Sequence, residues 1–386
     1  MVSASVTLFA RGQGLLENFE LDVYDVLVRA HPAATLDAVV AVSITEEDLR
    51  KLGRWPIDDQ RLARLIRTVA SGGAVAIGLD IFRDLPQPPG SDSLRAAMNE
   101  TDQLIGIELW PTDLGTPPPP ALQGTDRIAV ANLVRDPDGV VRRAVIGLMP
   151  AEGPTRPSLS LAVASRALGR RAVTAGGDQL EEWVPPGMTP TDGGYWWAEP
   201  TLRFEGADGS AYEASTRQIV IDFRPAAEGP AFVAYSATDV LEGAVDPSVF
   251  AGKVVIIGSG ARSVRDTAPT PVGILDGYEI QAIVTGQLVA IVRGEATSLR
   301  SWSDMGEVGW ILFWCVLGVG LATGIRSAPL LGGAAIAGLG GTFAIAWASS
   351  GRACGYPWRR LLWGGSRRPA LPWPCFELAS GVLERC

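Results

Sequence analysis

Cysteine is scarce and late in this chain: Cys315, Cys354, Cys375 and Cys386 are the only four in 386 residues. The first 300 residues therefore hold neither a disulfide framework nor a thiolate metal site. Histidine is scarcer still, with His31 alone. One histidine excludes a His-rich zinc site and leaves a serine–histidine–acid triad no choice of base. Standing before Pro32, it reads as a solvated loop residue. Charge is thin too, at 19% of residues, with 33 basic side chains against 42 acidic ones and a formal net charge of −9. That balance excludes a phosphate-neutralising face, so no nucleic-acid partner is expected. No P-loop, HExxH or nucleophile elbow occurs. The N-terminus has no basic stretch followed by a long apolar core, so it does not read as a signal peptide. Neither a cofactor nor a metal is expected.

What the chain does have is apolar mass, 47% of residues, concentrated beyond residue 305. Residues 308–325 contain no charge, and after Arg326 residues 327–351 contain none either. Each run is near the ~20 apolar residues that cross a bilayer. The expectation is two transmembrane helices, 306–326 and 328–350, forming an antiparallel hairpin. Gly320 and Gly324 form a GxxxG, and Gly332, Gly333, Ala337, Gly340 and Gly341 offer further small surfaces. Residues 351–386 change character, becoming rich in Arg, Trp and Pro. Positive-inside bias would put Arg352, Arg359, Arg360, Arg367 and Arg368 in the cytoplasm. A hairpin, however, returns the chain to the side it left, so an outside domain would need a third span. A truncated or frame-shifted tail is one resolution of that conflict.

The first 300 residues carry an α/β rhythm. An N-terminal amphipathic helix is expected, with Leu15, Phe19, Asp22, Val23, Val26 and Leu27 near one face. Residues 38–44 read as a buried strand, followed by a helix that Thr45 opens and Gly53 closes. Asp58 or Asp59 caps the next helix, in which Leu62, Leu65, Ile66, Val69 and Ala70 repeat at helical spacing. Strands at 74–82 and 103–110 flank a helix at 91–100. Such alternation points to a mostly parallel sheet with helices on its faces. Residues 127–150 read as two strands around the turn Asp136-Pro137-Asp138-Gly139. A helix follows at 158–169, an irregular Trp-rich stretch at 172–200, and strands at 201–205, 218–223 and 231–235. A helix at 236–243, a buried strand at 253–260 and a closing helix at 277–292 complete the reading.

Candidate chemistry is sparse. Gly258 and Gly260 follow a strand, yet Ser263 holds the third glycine position, and Pro269 and Pro271 argue against a helix there. The dinucleotide fingerprint is therefore incomplete. Asp80, Asp84, Asp136, Asp138 and Asp266 are the carboxylates open to acid–base or cation roles. Asp80 ends the run "GAVAIGLDIF", and strand carboxyl ends are where open α/β sheets bind ligands. Asp136 to Gly139 partly matches a calcium loop but lacks the distal glutamate.

One ordered set of segments resembles a known family: "DVYDVLVRAHP", "LGRWP", "GLDIF", "ANLVRDPDGVVRRA", "SLSLAVA", "GKVVIIG", "DTAPTP" and "DGYEIQA". Their order is similar to the type-two CHASE domain, the cyclase/histidine-kinase-associated sensory extracellular module of bacteria, over roughly residues 18–295. The resemblance implies a single α/β sensory domain, preceded by a segment 1–17 and followed by the transmembrane α-helices and the tail. It implies a sensor in the bacterial cytoplasmic membrane, its sensory domain extracytoplasmic. Partners would be the lipid bilayer and an unidentified small-molecule or environmental signal. A homodimer and a cytoplasmic cyclase or kinase are further candidates. An adenylate cyclase, kinase or diguanylate cyclase output domain is usual in the family, and no such pattern is present in these residues. No catalytic residue is expected. Asp80, Arg142 and Asp266 are the candidate ligand-binding residues, with Asp80 expected to cap the following turn or pair with Arg83 or Arg142. The sequence departs from the family pattern at Thr45, where a strand-end acid is expected, at Asp59 in place of a basic residue, and at Gln281 in place of histidine. The alternative is an enzyme acting on a small ligand at the sheet edge near Asp80 and Asp266.

Overall fold

The structure, a computed structural model, describes residues 17–30, 35–151, 153–169, 201–205, 211–223, 230–295 and 304–353. Helix α1 (Glu17–Arg29) leads to β1 (Val39–Ile44), α2 (Glu46–Leu52), α3 (Asp59–Ser71), β2 (Ala76–Leu79), α4 (Ser91–Glu100), β3 (Leu104–Glu108) and β4 (Ile128–Val130). Next come β5 (Arg143–Pro150), β6 (Arg156–Pro157), α5 (Leu159–Ala167), β7 (Thr201–Glu205) and β8 (Ala211–Val220). The chain continues through β9 (Val233–Ser236), α6 (Ala237–Glu242), β10 (Val254–Ser259), β11 (Thr267–Thr270), β12 (Gly273–Asp276) and α7 (Gly277–Val292). Two long helices, α8 (Asp304–Gly324) and α9 (Ala328–Ala353), follow.

Six strands make one sheet in the order β4-β3-β2-β10-β1-β9, every pairing parallel. Parallel strands buried on both faces need continuous apolar runs, which is why β1 and β10 are legible as such. On one face Val40, Val42, Ile44, Leu79 and Ile257 pack against Leu62, Leu65, Ile66 and Val69 of α3, with α4 and α6 beside them. On the other, Val39, Ala41, Ala76, Val254 and Ile256 meet α5, α7 and the inner side of a second sheet. Local signals set the helix ends. Thr45 caps α2 in a capping box with Asp48, and Gly53 ends it in the left-handed conformation at φ 76. Asp58, rather than Asp59, caps α3.

The structure corrects several expectations. The turn at 136–139 is present, with the Gly139 N–H donating to the Asp136 carbonyl at 2.8 Å. Its flanking strands do not pair with each other, however. β4 edges the parallel sheet, while β5 belongs to an antiparallel sheet in the order β6-β5-β8-β7. The strand expected at 218–223 begins at Ala211 and ends at Val220. The face expected on α1 is rotated: Leu21, Asp25, Leu27 and Val28 are buried, while Asp22 and Val26 are exposed. A charged residue occupies the core side there, which apolar periodicity cannot show. Residues 171–200 and most of the tail lie outside the described residues, as do Leu15 and the side chain of Phe19. Among the described residues no helix is long and apolar enough to cross a membrane, so the two expected spans stand as helices α8 and α9 without confirmation.

Candidate functional site

The order of the parallel strands creates a crevice. β10 enters last, between β1 and β2. The helices after β1 and β2 cover one face of the sheet, whereas the chain leaving β10 passes through the β11–β12 hairpin into α7 on the opposite face. Connections that part to opposite faces leave a gap at the strand carboxyl ends, the usual ligand position in open α/β sheets.

Glycines let the walls of this gap close in. A methyl group on Gly258 would lie 2.3 Å from Tyr278 Cβ and 3.5 Å from Asp80 Cβ. One on Gly260 would lie 2.5 Å from Ser43 Oγ and 3.2 Å from Asp276 Oδ2, and one on Gly277 would lie 2.5 Å from Asp266 Oδ2. Backbone bonds tie the parts together: Asp80 N–H donates to Ile257 O at 2.8 Å, Gly260 N–H to Ile44 O at 3.1 Å, and Gly277 N–H to Asp266 O at 2.9 Å. The Asp276 N–H donates to Glu279 Oε2 at 2.9 Å, within the first turn of α7. Asp266 follows Arg265, the one described non-glycine residue in the left-handed region, at φ 59.

The structure thus brings Asp80 and Asp266 together and adds Asp276, Glu279, Ser43 and Tyr278. Burial, and then the charge of Asp266, push the Asp80 carboxyl up to about 7. Asp80 as a residue keeps part of its surface open, while its carboxyl is closely surrounded by protein. The Asp266, Asp276 and Glu279 carboxyls are also held above the ordinary range, chiefly by burial; Arg262 partly offsets this at Asp276. Burial raises the Tyr278 phenol to about 12, with the Ser43 hydroxyl working against it. No group of three or more His, Cys, Asp or Glu side chains among the described residues is arranged to hold a metal.

Arg142 lies in a different cluster. Its guanidinium donates from Nε and Nη2 to Asp25 at 2.7 and 3.0 Å, and from Nη1 to Asp136 at 3.0 Å. It also donates to both oxygens of Asp138. Every N–H is engaged, none with Asp80 or Asp266. The side chain is buried and serves to clamp α1 to the start of β5. Asp80 therefore pairs with neither arginine expected for it. Arg83 lies 3.7 Å from Asp59 and donates to the Ile57 carbonyl at 2.8 Å.

Two of the departures from the family pattern have local partners in the core. Asp59 faces Arg83 and accepts from the Ser91 hydroxyl and the Gln87 N–H, both at 2.8 Å. Gln281 accepts from Ser160 Oγ between α5 and α7. Thr45 serves the α2 capping box, leaving Asp48 three residues later as the buried acid, with Ser236 Oγ donating to it at 2.6 Å. Asp276, Tyr278 and Glu279 stood in the sequence only within the family segment "DGYEIQA" and carried no binding signal of their own, and Ser43 is one hydroxyl inside an apolar run.

A family model described as the CHASE2 domain matches residues 2–320. The match begins before residue 18 and extends past 295 into α8. No curated protein and no solved structure matches the chain.

Proposed function

Because this chain belongs to the CHASE2 family, the extracellular sensory domains of signalling proteins, we propose that it is a membrane-anchored bacterial sensor. The α/β domain detects an extracytoplasmic signal in the crevice at Asp80 and Asp266, and α8 and α9 anchor it in the cytoplasmic membrane. The crevice serves binding rather than turnover, and the output is that of a cyclase or kinase. Ligand binding favours one of two arrangements of the helices that follow α7. The observation that carries this reading is the crevice itself, at a sheet switch point inside a sensory-family domain. The anchor is supported by apolar side chains left outside on both long helices, with Val316 73% and Ile336 74% exposed. Water would not tolerate that surface, and hydrocarbon would.

Reporter fusions at residues 150 and 327 test it. An export-dependent phosphatase should be active at 150 and inactive at 327, and a cytoplasmic reporter should show the reverse. Cytoplasmic activity at 150 would overturn the proposal.

The enzyme reading keeps one observation in its favour, since a carboxyl held near neutrality is what a general acid requires. Asp80→Asn separates the two: an enzyme loses turnover, whereas a sensor changes only in binding or stability.

A further inference from the structure

We infer that α1 is a second lever of the sensor: Arg142 couples the β11–β12 hairpin at the crevice to Asp25, so that a displacement of the crevice wall reaches the N-terminal helix as well as α7. This rests on the sensor reading and names a route by which its site is read out.

The route begins at the crevice. The hairpin starts beside Asp266, its first residue Thr267 pairs with Asp276, and the chain then enters α7 at Gly277. Along β11 the Pro269 carbonyl accepts from the Val141 N–H at 2.8 Å, and the Thr267 carbonyl accepts from Arg135 Nη2 at 3.4 Å. Val141 and Ala268 are buried in the same core. The hairpin is thus bonded to both flanks of the 136–139 turn, and Arg142 is the next residue along.

What makes that residue a coupler is how its guanidinium is filled. The side edge, Nε and Nη2, fits the two oxygens of Asp25 at 2.7 and 3.0 Å. The end edge, Nη1 and Nη2, fits the two oxygens of Asp138 at 3.0 and 2.7 Å. The last N–H, on Nη1, goes to Asp136, which Arg143 grips from its other oxygen at 2.6 and 2.9 Å. All five donors of one rigid plane are taken. The turn and α1 therefore cannot shift past each other without tilting that plane or breaking a charge-assisted pair. Arg142, Arg143 and Asp136 are buried, where a broken pair is costly, so moving together is the cheaper response. A further tie from α1 returns to the same residue: the Tyr24 hydroxyl donates to the Ile221 carbonyl at 3.3 Å, and the Ile221 N–H donates to the Arg142 carbonyl at 2.9 Å. Arg142 is a positioning residue, acting through α1 and the hairpin.

Hydrogen–deuterium exchange on the full chain in detergent micelles tests this. Gly258→Ala is the perturbation, because its methyl falls 2.3 Å from Tyr278 Cβ and pushes on the first turn of α7 and the foot of the hairpin. Amides of α1 should then exchange roughly threefold faster or more, while those of α3, on the opposite face of the sheet, change by less than about twofold. Added to Asp25→Asn, or to Arg142→Lys, which keeps the charge but not the planar fork, the same substitution should change α1 exchange by a factor of about one. Asp25→Asn keeps the pairs of Arg142 with Asp136 and Asp138, so the comparison stands even where Arg142→Lys fails to fold. Unchanged α1 exchange in Gly258→Ala would overturn the inference. So would an acceleration that persists in Asp25→Asn, because another route would then carry the shift, or an equal rise in α3, the mark of general loosening. The sidedness of the fusions is read independently, so failure here leaves the sensor proposal standing, and failure there leaves the coupling intact.

Discussion

Asp80 charges the fold a pH-dependent penalty that one substitution should remove. Holding its carboxyl at about 7 rather than 3.8 corresponds to about 4 kcal/mol against the ionised form. Water reaching part of the residue screens this, leaving about 2–4 kcal/mol. The sign follows from proton counting. Between pH 4 and 7 the folded chain holds a proton on Asp80 that the unfolded chain has released, so stability falls as pH rises through that window. Asp80→Asn keeps the shape and removes the charge. At pH 8 the variant should melt above the parent by roughly 4–8 °C in a domain of this size. Near pH 4.5, where folded Asp80 is already protonated, the gap should shrink to about 1 kcal/mol or less. Thermal denaturation of the full chain in detergent, followed by circular dichroism at both pH values, measures it. Equal melting temperatures at pH 8, or a variant less stable there, would refute the reasoning, because the carboxyl would then have a stabilising partner.

Arg142→Met should cost about 3–5 kcal/mol in denaturant titration, because it leaves the enclosed Asp25 and its neighbour Asp138 without their guanidinium, while Asp136 keeps Arg143. Asp25→Asn, which keeps the other two pairs, should cost less. Gly258→Ala puts a methyl 2.3 Å from Tyr278 Cβ and should cost about 1–3 kcal/mol, with faster amide exchange in the first turns of α7. Thr45→Ala removes the α2 cap and should cost about 0.5–2 kcal/mol, read as a shift in denaturation midpoint.

The parallel sheet was legible because its strands are buried on both faces and therefore written as unbroken apolar runs, as in Val39–Ile44 and Val254–Ser259. The helices around it announced themselves through Thr45, Asp58, Gly53 and Gly169. The second sheet was harder. β8 alternates polar and apolar residues and buries Thr216 and Gln218, where Gln218 receives Arg143. A buried polar strand has no apolar signature. The same masking hid the core face of α1, since Asp25 is inside only because Arg142, 117 residues later, is there to meet it. Of the site, Asp80 could be read from its place at a strand end. The approach of Asp266, Asp276 and Tyr278 depends on where the β11–β12 hairpin and α7 fold back, which pairwise spacing along the chain does not encode.

β1 has a consequence for how this protein is made. Its hydrogen-bonding neighbours on the two sides are β9 and β10, so a nascent chain carries residues 39–44 with no sheet partner until residues 233–259 have emerged from the ribosome. Few of the earliest native contacts can be kept, and folding waits on late, distant closure. A chain built this way acquires the crevice at Asp80 and its completed sheet in the same event, when β10 enters between β1 and β2.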